Sequence, residues 1–226
     1  LPSKGIVGFN DMLAAESAYP LHTPAYDDIS ALQYTGGTTG VSKGVMLTQG
    51  SLMSNVAQTM AMVSAGGRSV THFTTVSPLP LYHIYAWMLN MGLMPATRGH
   101  SVLIPDPRNI PMFVGAIKSL KFEIFCGLNS LFVTLLQDSK FQKLDFSKLQ
   151  ITLSGGMALM DAVAEEWHQA TDCVVSEGYG MTESSPVISM NPSGFEKIGT
   201  AGIPLPGTEI KVVDENGVEQ QVGGVG

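Results

Sequence analysis

A layered α/β fold is what this sequence predicts, and three observations carry that expectation. Short apolar runs alternate along the chain with stretches whose apolar residues recur at helical spacing. Several of the short runs end in glycine turns, as strands that feed helices do. Cap residues stand where the helices should begin.

Taken in order, Ala31-Leu32-Gln33-Tyr34 and Val45-Met46-Leu47 read as short strands on either side of a glycine-rich loop. Thr48 followed by Leu52, Val56, Met60 and Val63 predicts a capped helix with one apolar stripe. Val102-Leu103-Ile104 is a strand, and Pro111 then opens a helix from Met112 to Leu120 with Asn109 as its cap. Ile124-Phe125-Cys126 is the next strand, with a helix following near Ser130 to Leu136. Leu149 to Leu153 is another strand, running into the turn Gly155-Gly156. The helix after it is the clearest. Met160, Val163, Ala164 and Trp167 fall at i, i+3, i+4 and i+7, while Glu165, Glu166 and Gln169 face out. Val174-Val175 then leads into Gly178-Tyr179-Gly180. Beyond Pro192 the chain turns glycine-rich, with a strand expected from Thr208 to Val213 and a hairpin-turn signal at Asn216-Gly217.

Composition bounds the function. The 226 residues carry a net charge of −7, from 12 basic and 19 acidic side chains, which argues against a nucleic-acid partner. Cys126 and Cys173 are far apart, without metal-ligand spacing, so neither a disulfide framework nor a zinc site is expected. Cys126 lies in an apolar run, where a buried, inert thiol is the better reading. His22, His72, His100 and His168 show no ligand spacing. No apolar run is long enough to span a membrane, and a soluble, cytoplasmic enzyme is the expectation.

The most informative stretch is Tyr34 to Gly44, with four glycines, three threonines and one lysine between two strands. Such a loop suits polyphosphate: glycines let backbone N–H groups turn inward, hydroxyls donate to phosphate oxygens and the lysine adds charge. It is not the Walker loop, because Ser42 stands where the second glycine should be and Gly44 follows Lys43. It is not a dinucleotide fingerprint either, since Thr38 breaks the G-x-G spacing. Taken alone, a solvated glycine hairpin explains it equally well.

Three further segments stand beside it: Pro80-Leu81-Tyr82-His83-Ile84-Tyr85-Ala86-Trp87, Leu153-Ser154-Gly155-Gly156-Met157-Ala158, and Glu177-Gly178-Tyr179-Gly180-Met181-Thr182-Glu183. Together and in this order, the four resemble the signature of the AMP-forming acyl-CoA synthetases of the adenylate-forming superfamily. The resemblance spans nearly all of positions 28 to 213 and is nearest to the long-chain fatty acid–CoA ligases. It implies αβα subdomains of an adenylating N-terminal domain: residues 1–66 ending the first, 67–191 forming the second, and 192–226 starting a β-rich subdomain. It also implies a segment of a longer protein, in keeping with an opening at Leu1-Pro2 and a close at Gly223-Gly224-Val225-Gly226.

The resemblance assigns roles residue by residue. Thr35, Gly36, Gly37, Thr38, Thr39 and Gly40 would hold the β- and γ-phosphates of ATP, with Thr35 helping to position Mg²⁺ and Lys43 adding charge on the pyrophosphate side. Gly156, Met157, Gly178 and Tyr179 would hold adenine, and Glu177 would face its amino group. Thr182 would contact the α-phosphate, and Glu183 would be a Mg²⁺ ligand, hard oxygen for a hard cation. His83 would line the carboxylate end of an acyl pocket, and Trp87 would gate the acyl tunnel, with core packing as the alternative for Trp87. On this reading the two lie four residues apart on one face of a helix. Met88, Met91 and Met94 suit an adaptable apolar wall or an ordinary core.

The implied activity converts a fatty acid, ATP and CoA to acyl-CoA through acyl-AMP, with peripheral membrane association and oligomerisation of the whole enzyme both compatible. The alternatives are adenylation of another carboxylic acid, transfer to a carrier-protein thiol, or a non-catalytic nucleotide-binding module. The family's ribose-binding aspartate and adenylation lysine have no counterpart before Gly226.

Overall fold

The structure is a computed structural model describing residues 9–14, 22–36, 42–67 and 69–226. A short helix α1 (Phe9–Ala14) precedes an antiparallel ribbon of β1 (Ile29–Thr35) and β2 (Lys43–Thr48). The ribbon's last pair, Thr35 opposite Lys43, brackets the glycine-rich loop. Gly37, Thr38, Thr39 and Gly40 lie outside the described residues.

Helix α2 (Gln49–Val63) starts at the predicted cap, with the Ser51 N–H donating to the Thr48 hydroxyl at 3.1 Å. Its Leu52, Val56 and Val63 are buried. Asn55 ties the helix to the main sheet: its Nδ2 donates to the Val187 carbonyl at 2.7 Å, and the Val187 N–H donates back at 3.0 Å.

That sheet has seven strands among the described residues: β3 (Thr74–Ser77), β4 (His100–Leu103), β5 (Ile124–Gly127), β6 (Ile151–Gly155), β7 (Val175–Gly180), β8 (Val187–Met190) and β9 (Ile203–Pro204). Their order is β4-β3-β5-β6-β7-β8-β9, with β3 to β7 parallel and β8 and β9 antiparallel. Parallel strands need crossovers, and helices supply them. After β3 comes α3 (Ile84–Trp87), which passes through a π-helical stretch (Met88–Leu93) into α4 (Met94–Ala96). Helices α5 (Ile110–Ile117), α6 (Asn129–Leu136) and α7 (Asp161–Thr171) follow β4, β5 and β6.

Two apolar layers sandwich the sheet, as the α/β reading expects. One packs Phe113, Phe125, Phe132, Phe141 and Trp167 beneath α5, α6 and α7. The Trp167 ring centroid lies 4.7 Å from that of Phe132 and 5.0 Å from that of Phe125. Its indole N–H donates to the Thr152 hydroxyl at 3.0 Å, so the one polar atom of the ring keeps a partner. The other layer packs Val56, Val63, Met88, Leu89 and Leu93 against Ile124, Cys126, Ile151 and Leu153. Alternation along β5 and β6 sends neighbouring residues to opposite layers, which is why Ile124-Phe125-Cys126 reads as an unbroken apolar run and why Thr152 of β6 is buried beside Trp167.

Three local expectations need correcting. No strand forms over Thr208–Val213; among the described residues a single bridge, Val213 to Glu219, closes the turn at Gly217. A strand needs a neighbour to satisfy its backbone, and this stretch has none beyond that bridge. Met160 is exposed and precedes α7, so the buried stripe begins at Val163. His83 is not on the face of a helix with Trp87: it is the N-cap of α3, its Nδ1 accepting the Tyr85 N–H at 3.2 Å.

Candidate active site

A cleft of about 530 Å³ opens at the carboxyl ends of β6 and β7, where open α/β sheets present ligand sites. Thr35, Gly36 and Lys43 of the ribbon line it, together with Gly178, Tyr179, Gly180, Thr182 and Glu183 at and after the end of β7 and Gly155 and Gly156 at the end of β6. Gly156 has φ +80°, a left-handed conformation that glycine adopts at no steric cost and that turns the chain at the end of β6. Gly180 is needed for a different reason: a Cβ there would collide with the carbonyl of Pro186.

The lining is mixed. Lys43, Thr182 and the Glu183 carboxylate supply polar groups, and among the described residues neither Lys43 nor Glu183 makes an ion pair. Ile84, Met88, Leu89, Leu93 and Met190 line the same cleft with apolar side chains, beside His83 and Tyr85. Tyr85 donates its phenol proton to the Leu153 carbonyl at 3.2 Å. Burial, and then the neighbouring Cys126, holds that phenol well above its ordinary value, so it remains a donor.

A second compartment of about 470 Å³ adjoins the first across Gly156, Gly178, Tyr179 and Gly180. Met157, Leu159, Asp161, Glu177, Gly199, Thr200 and Ala201 complete it. Tyr179, 52% exposed, lines both compartments. Glu177 is committed on one side, accepting the Leu159 N–H at 3.0 Å on Oε2, which holds the Gly156–Leu159 turn against β7.

The structure thus brings Thr35, Gly36, Lys43, His83, Gly156, Gly178, Tyr179, Thr182 and Glu183 to one cavity and places Met157 and Glu177 in the adjoining compartment. Trp87 lines neither; it packs against the cluster of Leu47, Leu52 and Ile84 beneath the ribbon. Of the three methionines, Met88 lines the cleft, Met94 is core and Met91 is exposed. Sequence reasoning did not single out Tyr85, Leu89, Leu93 or Met190. The first three lie on a helix whose π-helical insert shifts which residues share a face, and Met190 arrives from an antiparallel strand.

The donor set fits a nucleotide with a hard divalent cation. Thr35 and Glu183 face one cavity with one hydroxyl and one carboxylate, the sparse protein contribution that Mg²⁺ accepts when phosphate oxygens and water complete its shell. Among the described residues no group of three or more His, Cys, Asp or Glu side chains could hold a metal without such help.

Glycine turns, hydroxyls, a lysine and a carboxylate thus line one cavity together with a set of apolar side chains, at the carboxyl ends of a parallel sheet. The profile of the family described as AMP-binding enzyme matches residues 5–226, and the chain belongs to that family. It is 42% identical over 203 residues to a long-chain-fatty-acid–CoA ligase of Haemophilus influenzae, covering 88% of this chain and 36% of that protein. To 4-coumarate–CoA ligase 2 of Oryza sativa it is 32% identical, over 93% of this chain and 38% of that one. Among solved structures it resembles the ATP-bound MatB of Rhodopseudomonas palustris, with TM-score 0.78 and 26% identity over 94% of this chain and 41% of that chain. It also resembles the anthranilate–CoA ligase AuaEII in complex with anthranoyl-AMP, with TM-score 0.84 and 25% identity over 97% and 42%. The chain spans little more than a third of the length of these ligases. Among the described residues no helix is long and apolar enough to cross a membrane.

Proposed function

We propose that this chain carries the ATP- and acyl-binding core of a fatty acid–CoA ligase. The observation that supports it most is the single cleft lined both by Thr35, Lys43, Thr182 and Glu183 and by Tyr85, Met88, Leu89 and Leu93. A carboxylate whose hydrocarbon tail lies against the apolar side chains would present its oxygen to a nucleotide held by the polar groups. That oxygen attacks the α-phosphorus of ATP, the bond to the β-phosphate oxygen breaks, and pyrophosphate leaves with the electron pair. The thiolate of CoA then attacks the acyl carbonyl and AMP departs.

The residues contribute position and charge rather than a covalent intermediate. On this reading Lys43 neutralises charge on the pyrophosphate side, and Gly36 and Gly156 let backbone approach closely. Tyr179 offers a face for adenine, beside Met157, Gly178 and Glu177, and Thr182 donates to the α-phosphate. Mg²⁺, held by Thr35 and Glu183 with phosphate oxygens, would supply charge neutralisation as pyrophosphate leaves. His83 would sit near the substrate carboxylate. Gly37, Thr38, Thr39 and Gly40 complete the phosphate loop in the same proposal.

A long-chain substrate is supported by the apolar lining and by the likeness to ligases of that name. The reading takes a cytoplasmic setting with peripheral membrane contact from the low solubility of such an acid, and it carries the division into 1–66, 67–191 and 192–226. A panel of acids incubated with ATP, Mg²⁺ and CoA tests it, on the protein as its gene encodes it. Acyl-CoA from palmitate in preference to coumarate, benzoate or malonate is expected. Preference for a short or aromatic acid overturns the substrate assignment, and no thioester with any acid overturns the ligase reading.

A further inference from the structure

Asn191 is the most heavily engaged side chain next to the smaller compartment, yet it does not line that compartment. It is 2% exposed and lies one residue past β8. Its Nδ2 donates to the Thr200 carbonyl at 2.7 Å and to the Glu177 carbonyl at 3.3 Å. Its Oδ1 accepts the Lys197 N–H at 3.0 Å and lies 3.3 Å from the Thr200 hydroxyl. Its backbone N–H donates to the Glu177 carbonyl at 2.9 Å, and its own carbonyl accepts the Ser176 hydroxyl at 2.7 Å. One buried amide therefore bridges β7, on one side of the compartment, to the Lys197–Ala201 loop on the other.

Besides Asn191, that loop is held by Ile198, which packs against the main core, and by the Thr200 hydroxyl donating to the Lys197 carbonyl at 2.9 Å. Between Ser193 and Gly202 it forms no helix or strand, and Gly199 and Gly202 take positive φ. A segment without a ladder of its own must satisfy its backbone through side chains, and Asn191 supplies both a donor and an acceptor for it. Gly199, Thr200 and Ala201 face the compartment that also holds Tyr179 and Glu177. Their position sets the width available to a flat ring between them.

We propose that Asn191 is a positioning residue: it fixes the Lys197–Ala201 loop as the outer wall of the smaller compartment and so sets nucleotide affinity without touching the nucleotide. The proposal rests on the nucleotide reading above. Asn191→Asp keeps the size and the acceptor of the side chain but turns an oxygen toward two carbonyls. Thr200→Val removes only the hydroxyl of the partner. In the protein as its gene encodes it, AMP is titrated by calorimetry, and ATP–pyrophosphate exchange is followed with palmitate as the acid.

The Asn191→Asp variant is expected to weaken AMP binding and raise KM for ATP about tenfold, with KM for palmitate unchanged. The double variant is expected to be no weaker than Asn191→Asp alone, because two residues acting through one loop are not additive. Equal losses for ATP and palmitate, unchanged AMP affinity, or additive effects of the two substitutions each overturn the proposal. If Asn191→Asp does not fold, Asn191→Ser, which keeps one polar atom, takes its place in the cycle with the same expected pattern. A wild-type protein without exchange activity removes the ligase reading and leaves the AMP titration as the test of this one.

Discussion

The phenol of Tyr85 donates to the carbonyl of Leu153 at 3.2 Å, bonding α3 to the middle of β6. Both residues line the cleft. Tyr85→Phe keeps the ring and removes this hydrogen bond, a change worth about 0.5–1.5 kcal/mol. The variant is expected to melt lower and to show a raised KM for the acid with little change in KM for ATP. Thermal melts beside exchange kinetics check it; an unchanged melt and unchanged KM for the acid would remove Tyr85 from this role.

Glu183 is exposed and, among the described residues, free of ion pairs, so its removal should leave folding intact. Glu183→Ala is expected to lower the adenylation rate by a factor corresponding to about 2.7–4 kcal/mol of lost transition-state stabilisation. Normal exchange in a variant with a normal melt would refute its place in the site.

Trp87 packs with Leu47, Leu52 and Ile84 and against the layer that holds Met88, Leu89 and Leu93, and it lines neither compartment itself. Trp87→Ala should act through packing, at a cost on the order of 3 kcal/mol, without altering the preference between a long and a medium acyl chain. Unchanged stability with an altered chain-length preference would restore the gate assigned by resemblance.

Cys126 adds a pH dependence whose sign is fixed. Burial raises its thiol from 9.0 to about 12, against the smaller opposing effect of its hydrogen bond with Ser77. The native state then keeps a proton that the unfolded chain releases. This stability is whole below about pH 9 and is lost toward pH 12, at about 1.4 kcal/mol per pH unit. Urea midpoints of the wild type and of Cys126→Ala should therefore converge as pH rises from about 8 to about 10.5. A difference that does not vary with pH contradicts the assignment.

Much of this was legible in the chain. The caps at Thr48 and Asn109 stand where the sequence put them, because a hydroxyl or amide before an apolar stripe is a local signal; the Met112 N–H donates to Asn109 at 3.2 Å. The four segments converge on one cleft because three of them follow carboxyl ends of parallel strands and the fourth closes the ribbon beside them. Other features depend on distant partners. His83 caps α3 instead of lying within it, because its ring accepts the Tyr85 N–H, and the spacing of His83 and Trp87 alone did not show this. Asn191 gave no signal, since an asparagine before proline reads as a turn until Glu177 and Thr200 are seen on either side of it. The expected strand at Thr208–Val213 failed for want of a neighbouring strand.

The most direct test of the central claim is the exchange of labelled pyrophosphate into ATP by the protein as its gene encodes it, with and without palmitate. On the proposal that Thr35 and Glu183 hold Mg²⁺ and that the apolar lining of the same cleft takes the acyl chain, exchange should require both Mg²⁺ and the fatty acid and should fall sharply in Glu183→Ala. Exchange that proceeds equally without a fatty acid, or none at all from a protein that binds ATP, would contradict it.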